Sequence, residues 1–125
     1  MTRILLDTHV FLWWRLGGGD LSPAAVTAIR SADEVYVSVA SAWEVAIKQS
    51  LGRVRLEADF EAGIADSQFA PLPIQFQHLR ELAQLPPLHR DPIDRLLVAQ
   101  ARSERLVLVS RDPQVLAYDV ARVVA

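Results

Sequence analysis

Pro92-Ile93-Asp94-Arg95-Leu96-Leu97-Val98-Ala99-Gln100-Ala101-Arg102-Ser103-Glu104, followed after one residue by Leu106-Val107-Leu108-Val109, reads as a helix running into a buried strand. Asp91 is a helix-capping residue type, and Pro92 stands behind it at the first helical position, where its missing N–H costs nothing. Leu106 to Val109 carries no polar side chain, as expected of a strand covered on both faces. A helix feeding such a strand is half of a parallel α/β repeat, and the rest of the chain continues the pattern.

Upstream, Arg3-Ile4-Leu5-Leu6 reads as a buried strand and Val10 to Leu16 as a short helix after it. Gly17-Gly18-Gly19 is a loop, and Ser22 is a natural cap for a helix running to about Arg30. Val35 to Val39 is β-branched and aromatic, hence a strand. Ala42 to Leu51 is a helix stopped by Gly52, and a further helix is expected from about Glu57 to Ser67. The Pro-flanked Ala70 to Ile74 belongs at a sheet edge, because proline removes a ladder donor. Helix signals resume from Gln75 to Gln84, and Leu85-Pro86-Pro87-Leu88 is a turn. Near the end of the chain, Pro113 to Ala117 is a helical turn and Ala121 to Val124 a last strand. The alternation predicts an α/β sandwich with a mostly parallel sheet, as one domain over residues 1–125.

About half of the 125 residues are apolar, enough for a sizeable core. There are no cysteines, which excludes disulfides, thiolate zinc and thiol nucleophiles together, and suits a reducing cytoplasm. Any metal must be held by oxygen or imidazole, which favours magnesium or manganese. Asp7 and His9 interrupt the apolar N-terminal run, and no stretch approaches the roughly 20 apolar residues that span a bilayer. No membrane association is expected. The net charge of −2 argues against a general nucleic-acid coat but is compatible with an enzyme whose acids are concentrated in one site.

Four acids occupy comparable places. Asp7 follows the first strand, Glu44 lies just inside the helix after the second, Asp94 sits in the first turn of the long helix, and Asp112 follows Leu106 to Val109. Open parallel sheets bind ligands beyond the carboxyl ends of their strands, the edge to which this order brings all four. Each acid alone has a structural reading. Asp7 and Asp112 suit helix N-caps, Ser41-Ala42-Trp43-Glu44 has capping-box spacing, and Asp94 complements a helix dipole. Gathered together, four carboxylates repel and raise their own pKa values, so a divalent cation is the natural compensation. Such an ion activates a water and neutralises charge developing on a phosphate.

These residues resemble the PIN-domain ribonucleases, and among them the VapC-type toxins of bacterial toxin–antitoxin pairs. The resemblance covers nearly the whole chain. It rests on Leu5-Leu6-Asp7-Thr8-His9, on Ser38 to Glu44 with Lys48 and Gly52 beyond, on His89 to Ala101, and on Leu108-Val109-Ser110-Arg111-Asp112. It implies a three-layer sandwich around about five strands, a magnesium-dependent endoribonuclease (with manganese as an alternative), a homodimer, and a cognate antitoxin whose tail covers the site. By position Asp7, Glu44, Asp94 and Asp112 match the family's acids, as catalytic and metal-holding residues. Asp91 is better explained as a cap. Ser110 matches a position that often carries a hydroxyl near the metal.

Other polar residues offer weaker readings. Thr8 beside Asp7 could hydrogen-bond there, and Arg90, Arg95 and Arg111 could grip RNA phosphates. His9 and His89 flank the motifs, while His78 carries no signal. Trp13, Trp14 and Trp43 could stack bases, but aromatics on amphipathic helices more often belong to a core or an interface. Leu12, Trp13, Trp14 and Leu16, with Leu96, Leu97 and Val98, are expected to form apolar interface surface. Two other functions fit the fold class. A receiver-like phosphoacceptor would want paired acids after the first strand and a lysine at the end of a late strand, whereas this chain has Asp7 alone and its one lysine is Lys48. An inactive interaction protein would have no need of all four acids.

Overall fold

In a computed structural model, which describes residues 1–54 and 59–125, the chain folds as three layers around a five-stranded parallel sheet. The elements are β1 (Arg3–Leu6), α1 (Thr8–Arg15), α2 (Pro23–Ser31), β2 (Glu34–Ser38), α3 (Val39–Ser50), α4 (Phe60–Asp66), β3 (Ala70–Leu72), α5 (Phe76–Gln84), α6 (Pro92–Glu104), β4 (Val107–Ser110), α7 (Pro113–Leu116) and β5 (Arg122–Val124). The expected start of the fourth helix near Glu57 lies outside the described residues. Among the described residues no helix is long and apolar enough to cross a membrane.

The strand order is β3-β2-β1-β4-β5, and all four pairings are parallel. The central strand explains its own sequence. Side chains alternate across a strand, so Leu5 enters one core with α5 and α6, while Ile4 and Leu6 enter the other with α1 and α2. Both faces are covered, and no polar position is tolerated between them. β3 lies at the edge, where Pro71 removes no bond from an inner ladder.

The long helix matches its expected limits. Asp91 accepts from the backbone N–H of Ile93 and Asp94, Pro92 stands at its start, and Arg105 closes it in the left-handed conformation. Leu96, Leu97 and Val98, expected as interface surface, are instead core: all are buried with Ile93, Ala99, Gln100 and Ala101. Packed between the sheet and α5, this helix is covered around most of its circumference, so its apolar bulk needs no partner. The apolar side chains that do emerge include Val39, Trp43, Ile47 and Leu51, spaced by four along α3 and its C-cap. Leu16 is also exposed, while Leu12, Trp13 and Trp14 are half-buried against the α1 core.

The capping box at Ser41 is not formed. The helix begins three residues earlier, with Ser38 as N-cap accepting from Ala40 N–H, so Ser41 is interior and Glu44 falls in the second turn. Ser38, expected inside the strand Val35 to Val39, is the cap instead, because strand β2 ends there and Val39 opens the helix. Gly52, at φ +70°, stops the helix as expected.

A buried polar chain ties the layers beneath this region. Ser38 Oγ donates to Gln100 Oε1 at 2.5 Å, and Gln100 Nε2 donates to the Pro73 carbonyl at 3.3 Å. His78 Nδ1 accepts from Gln75 N–H at 3.0 Å, which leaves the ring proton on Nε2 to face Glu104 at 2.7 Å. Ser38, Gln100 and His78 are fully buried. Gln100→Leu roughly keeps the volume but leaves the buried Ser38 O–H without its acceptor and the Pro73 carbonyl without the Gln100 donor. It is expected to lower unfolding free energy by about 1–3 kcal/mol in urea titrations; unchanged stability would contradict a structural role for this chain of bonds.

Candidate functional site

The chain builds β1, β2 and β3 to one side and then returns to add β4 and β5 on the other, so the direction of winding reverses between β1 and β4. The carboxyl ends of these two strands diverge into helices on opposite faces, leaving a crevice. Asp7 caps α1 directly after β1, and Asp112 caps α7 two residues after β4. Asp94 reaches the crevice from the first turn of α6, and Glu44 from the second turn of α3. All four line one cavity of about 550 Å³, together with His9, Val10, Trp13, Lys48, Asp91, Arg111 and Pro113.

Each acid is held. Asp7, 7% exposed, accepts from Thr8 N–H through Oδ1 at 2.6 Å and from Ser110 Oγ through Oδ2 at 2.7 Å. Ser110 in turn accepts from Asp112 N–H at 3.2 Å, which couples the two strand ends. The Thr8 hydroxyl lies 2.8 Å from both Glu44 Oε1 and Ser41 Oγ. A carboxylate only accepts, so the one Thr8 proton goes to Glu44, and Ser41 supplies the other. Glu44 also meets Lys48 Nζ at 3.0 Å, one helical turn on. Asp94 meets His89 Nε2 at 2.9 Å. His89 Nδ1 accepts from Arg90 N–H at 3.1 Å, so Nε2 carries the proton and donates to Asp94.

The electrostatics are strained in the direction that cation binding relieves. Burial pushes the Asp7 carboxyl up, against the lowering effect of its Ser110 and Thr8 hydrogen bonds. Burial also raises Asp94, to about 6; the His89 bond opposes this, and the charges of Asp7, Asp91 and Glu44 add to it. One ligand atom each from His89, Asp94 and Asp112 falls within 4.8 Å of the others. An oxygen-rich set, with the His89 imidazole beside it as a donor to Asp94, in a cavity where burial and neighbouring carboxylates raise Asp7 and Asp94, fits a divalent cation.

The other residues singled out in the sequence separate. Thr8 and Ser110 are buried behind the acids and contact Glu44 and Asp7, respectively. Arg111 lines the cavity, whereas Arg90 is exposed outside it and Arg95 turns toward the Leu85 carbonyl. Asp91 both caps α6 and lines the cavity. Two contacts went unread in the sequence, Lys48 on Glu44 and His89 on Asp94. The first was visible as an i,i+4 acid–base pair; the second depends on how the loop before α6 turns back.

Fold and cavity together define a small parallel α/β protein with a carboxylate centre at its topological switch point. The family model for the PIN domain matches residues 4–122. Ribonuclease VapC22 of Mycobacterium tuberculosis (strain ATCC 25618 / H37Rv) is 32% identical over 123 residues, covering 90% of this chain and 88% of that protein. The chain belongs to the PIN-domain family, among its VapC-type members. In fold it is similar to a chain of VapBC2 from Rickettsia felis, solved bound to a DNA fragment from the promoter, with a TM-score of 0.72, 10% identity and 98% of each chain covered. A toxin–antitoxin complex from Klebsiella pneumoniae is similar with a TM-score of 0.64 at 19% identity, covering 96% of this chain and 95% of that one.

The raised carboxyls set a pH dependence opposite to that of an ordinary acid pair. Between the ordinary 3.8 and about 6, native Asp94 binds more protons than unfolded Asp94, so its contribution to stability improves as pH falls through that window. In EDTA, the melting temperature of wild type relative to Asp94→Asn is expected to rise as pH is lowered from 7 toward 4. Parallel profiles for the two proteins would contradict the raised carboxyl.

Proposed function

We propose that this protein is a divalent-metal-dependent endoribonuclease, acting in the cytoplasm as the toxin of a toxin–antitoxin pair. The observation that carries the reading is the shared cavity of Asp7, Glu44, Asp94 and Asp112 at the switch point of the sheet. Family membership and the name of the M. tuberculosis relative support ribonuclease activity.

Asp7, Asp94, Asp112 and Glu44 are the residues that would hold magnesium or manganese, with His89 adjacent. When bound, the ion lowers the pKa of a water and offsets charge developing on the scissile phosphate. The chain prepares for this by fixing its acids in advance. Ser110 orients Asp7, Thr8 orients Glu44, and His89 holds its Nε2 proton toward Asp94. Lys48 offsets part of the negative charge at Glu44. Arg111 adds positive charge to the cavity for an RNA phosphate. Arg90 and Arg95, outside the cavity, fit at most a longer RNA path.

The reading extends to protein partners. The R. felis and K. pneumoniae structures are described as VapBC and toxin–antitoxin assemblies, which supports a cognate antitoxin here. The exposed Val39, Trp43, Ile47 and Leu51 supply apolar surface of the kind that protein contacts use. A homodimer is expected by light scattering at micromolar concentration; a monomer in both low and high salt would contradict it.

Antitoxin-free protein is expected to cleave single-stranded or looped RNA in magnesium or manganese, and EDTA to abolish the cleavage. Changing residues that only orient metal ligands typically costs 10–100-fold, so Asp94→Asn and Asp7→Asn should each lose at least about 100-fold. Cleavage unaffected by EDTA would refute the metal mechanism, and full activity in either variant would refute the site.

A further inference from the structure

The acids are only part of the cavity lining. His9, Val10, Trp13, Lys48, Arg111 and Pro113 supply the rest, and the whole, at about 550 Å³, is within the size range of small-molecule pockets. A site for a cation alone needs neither that volume nor an aromatic wall. The wall is held in place. The Arg111 guanidinium lies over the Trp13 ring, 4.5 Å from its centroid. Its Nε and Nη2 donate to the Ala125 carbonyl at 3.0 and 2.7 Å, and Nη2 also reaches the Asp20 carbonyl. The guanidinium is thus a brace for the indole as much as a charge. The His9 ring packs on Trp13 with centroids 5.8 Å apart, tilted by 40°.

The placement follows from one helix. Asp7 caps α1, and His9 and Trp13 stand four residues apart on the same face. Trp13 lies six residues beyond Asp7, or ~9 Å along the axis at ~1.5 Å per residue. The neighbouring Trp14 packs toward Phe69 and does not line the cavity. Trp13 rests partly on the core, and its remaining surface borders the carboxylates.

We propose that His9 and Trp13 form a nucleobase-stacking subsite, so that one base of the RNA lies on this wall while its phosphate lies at the acids. The subsite rests on the ribonuclease reading and gives it a substrate form. A base free to stack on protein must first be unstacked from RNA, which selects single-stranded or looped segments. Every base has a π-face, so the subsite discriminates weakly among bases.

The test is equilibrium binding of a labelled single-stranded decaribonucleotide by fluorescence anisotropy in magnesium. All proteins carry Asp94→Asn, so that the RNA survives the measurement, and cleavage is assayed separately without that change. In this background, Trp13→Ala is expected to weaken binding about tenfold or more, within the range for loss of one stacked base. His9→Ala, at an exposed position that leaves the fold intact, should weaken it by a smaller factor, and Trp13→Phe should keep most of the affinity.

Oligonucleotides with a single abasic position, moved along the strand, complete the cycle. At one position the abasic substitution should reproduce the loss, and Trp13→Ala should add nothing further there. Unchanged binding in both Trp13→Ala and His9→Ala, or additive losses at every position, would overturn the subsite. If the protein without Asp94→Asn cleaves RNA while binding ignores Trp13 and His9, the subsite alone fails. Trp13-dependent binding without cleavage would leave the subsite and refute the nuclease. No RNA binding, together with no cleavage by the protein without Asp94→Asn, would refute both.

Discussion

Repulsion among carboxylates at the switch point between β1 and β4 is the constraint around which this molecule is arranged. Asp7 and Asp112 follow adjacent parallel strands, so the sheet itself brings them together. Asp94 and Glu44 are carried to the same cavity by helices from one side of the sheet. Stability alone gives no reason to collect them, since burial and neighbouring charge raise both Asp7 and Asp94. Asp7 and Asp112 also cap helices, and in those roles each would serve as well uncharged.

The surrounding residues make sense as devices for holding that arrangement. Ser110 joins Asp7 to the backbone of Asp112, Thr8 ties α1 to Glu44, and His89 fixes Asp94 from the loop before α6. Beneath them Ser38 caps the helix bearing Glu44 and bonds Gln100 on the helix bearing Asp94. The bond from Ser38 to Gln100 therefore links the two helices that supply acids from outside the strand ends. An acid centre held in advance reorganises little when charge develops on a substrate.

Much of this was legible in the sequence because the signals are local. Arg3 to Leu6 and Leu106 to Val109 read as buried strands from composition alone, and Asp91-Pro92 fixed the start of the long helix. Ser38 reads as strand and Ser41 as cap because nothing local marks where β2 stops pairing and the helix begins. Leu96 to Val98 were misread as surface because a helix covered on nearly all sides has the same composition as one with a sticky face. His78 reads without a signal. Its bond to Gln75 is a local cap three residues away, whereas Gln100 and Glu104, also within hydrogen-bonding reach of its ring, become its neighbours only when α5 packs on α6. The carboxylate cluster was legible through strand topology, whereas the aromatic wall beside it required the side chains to be placed.

The most direct test of the account is magnesium-linked stability, because it reads the cluster without requiring a substrate. Thermal melts of wild type, Asp7→Asn, Asp94→Asn, Asp112→Asn and Glu44→Gln, each with EDTA or several millimolar magnesium, separate cap from ligand. Asparagine caps about as well as aspartate, so the metal-free variants should be as stable as wild type or slightly more so as repulsion is relieved. Wild type should gain strongly from magnesium by mass action, and the variants should lose most of that gain. A wild-type melting temperature indifferent to magnesium, with variants indistinguishable from it, would contradict the metal-held cluster and leave the acids as helix caps.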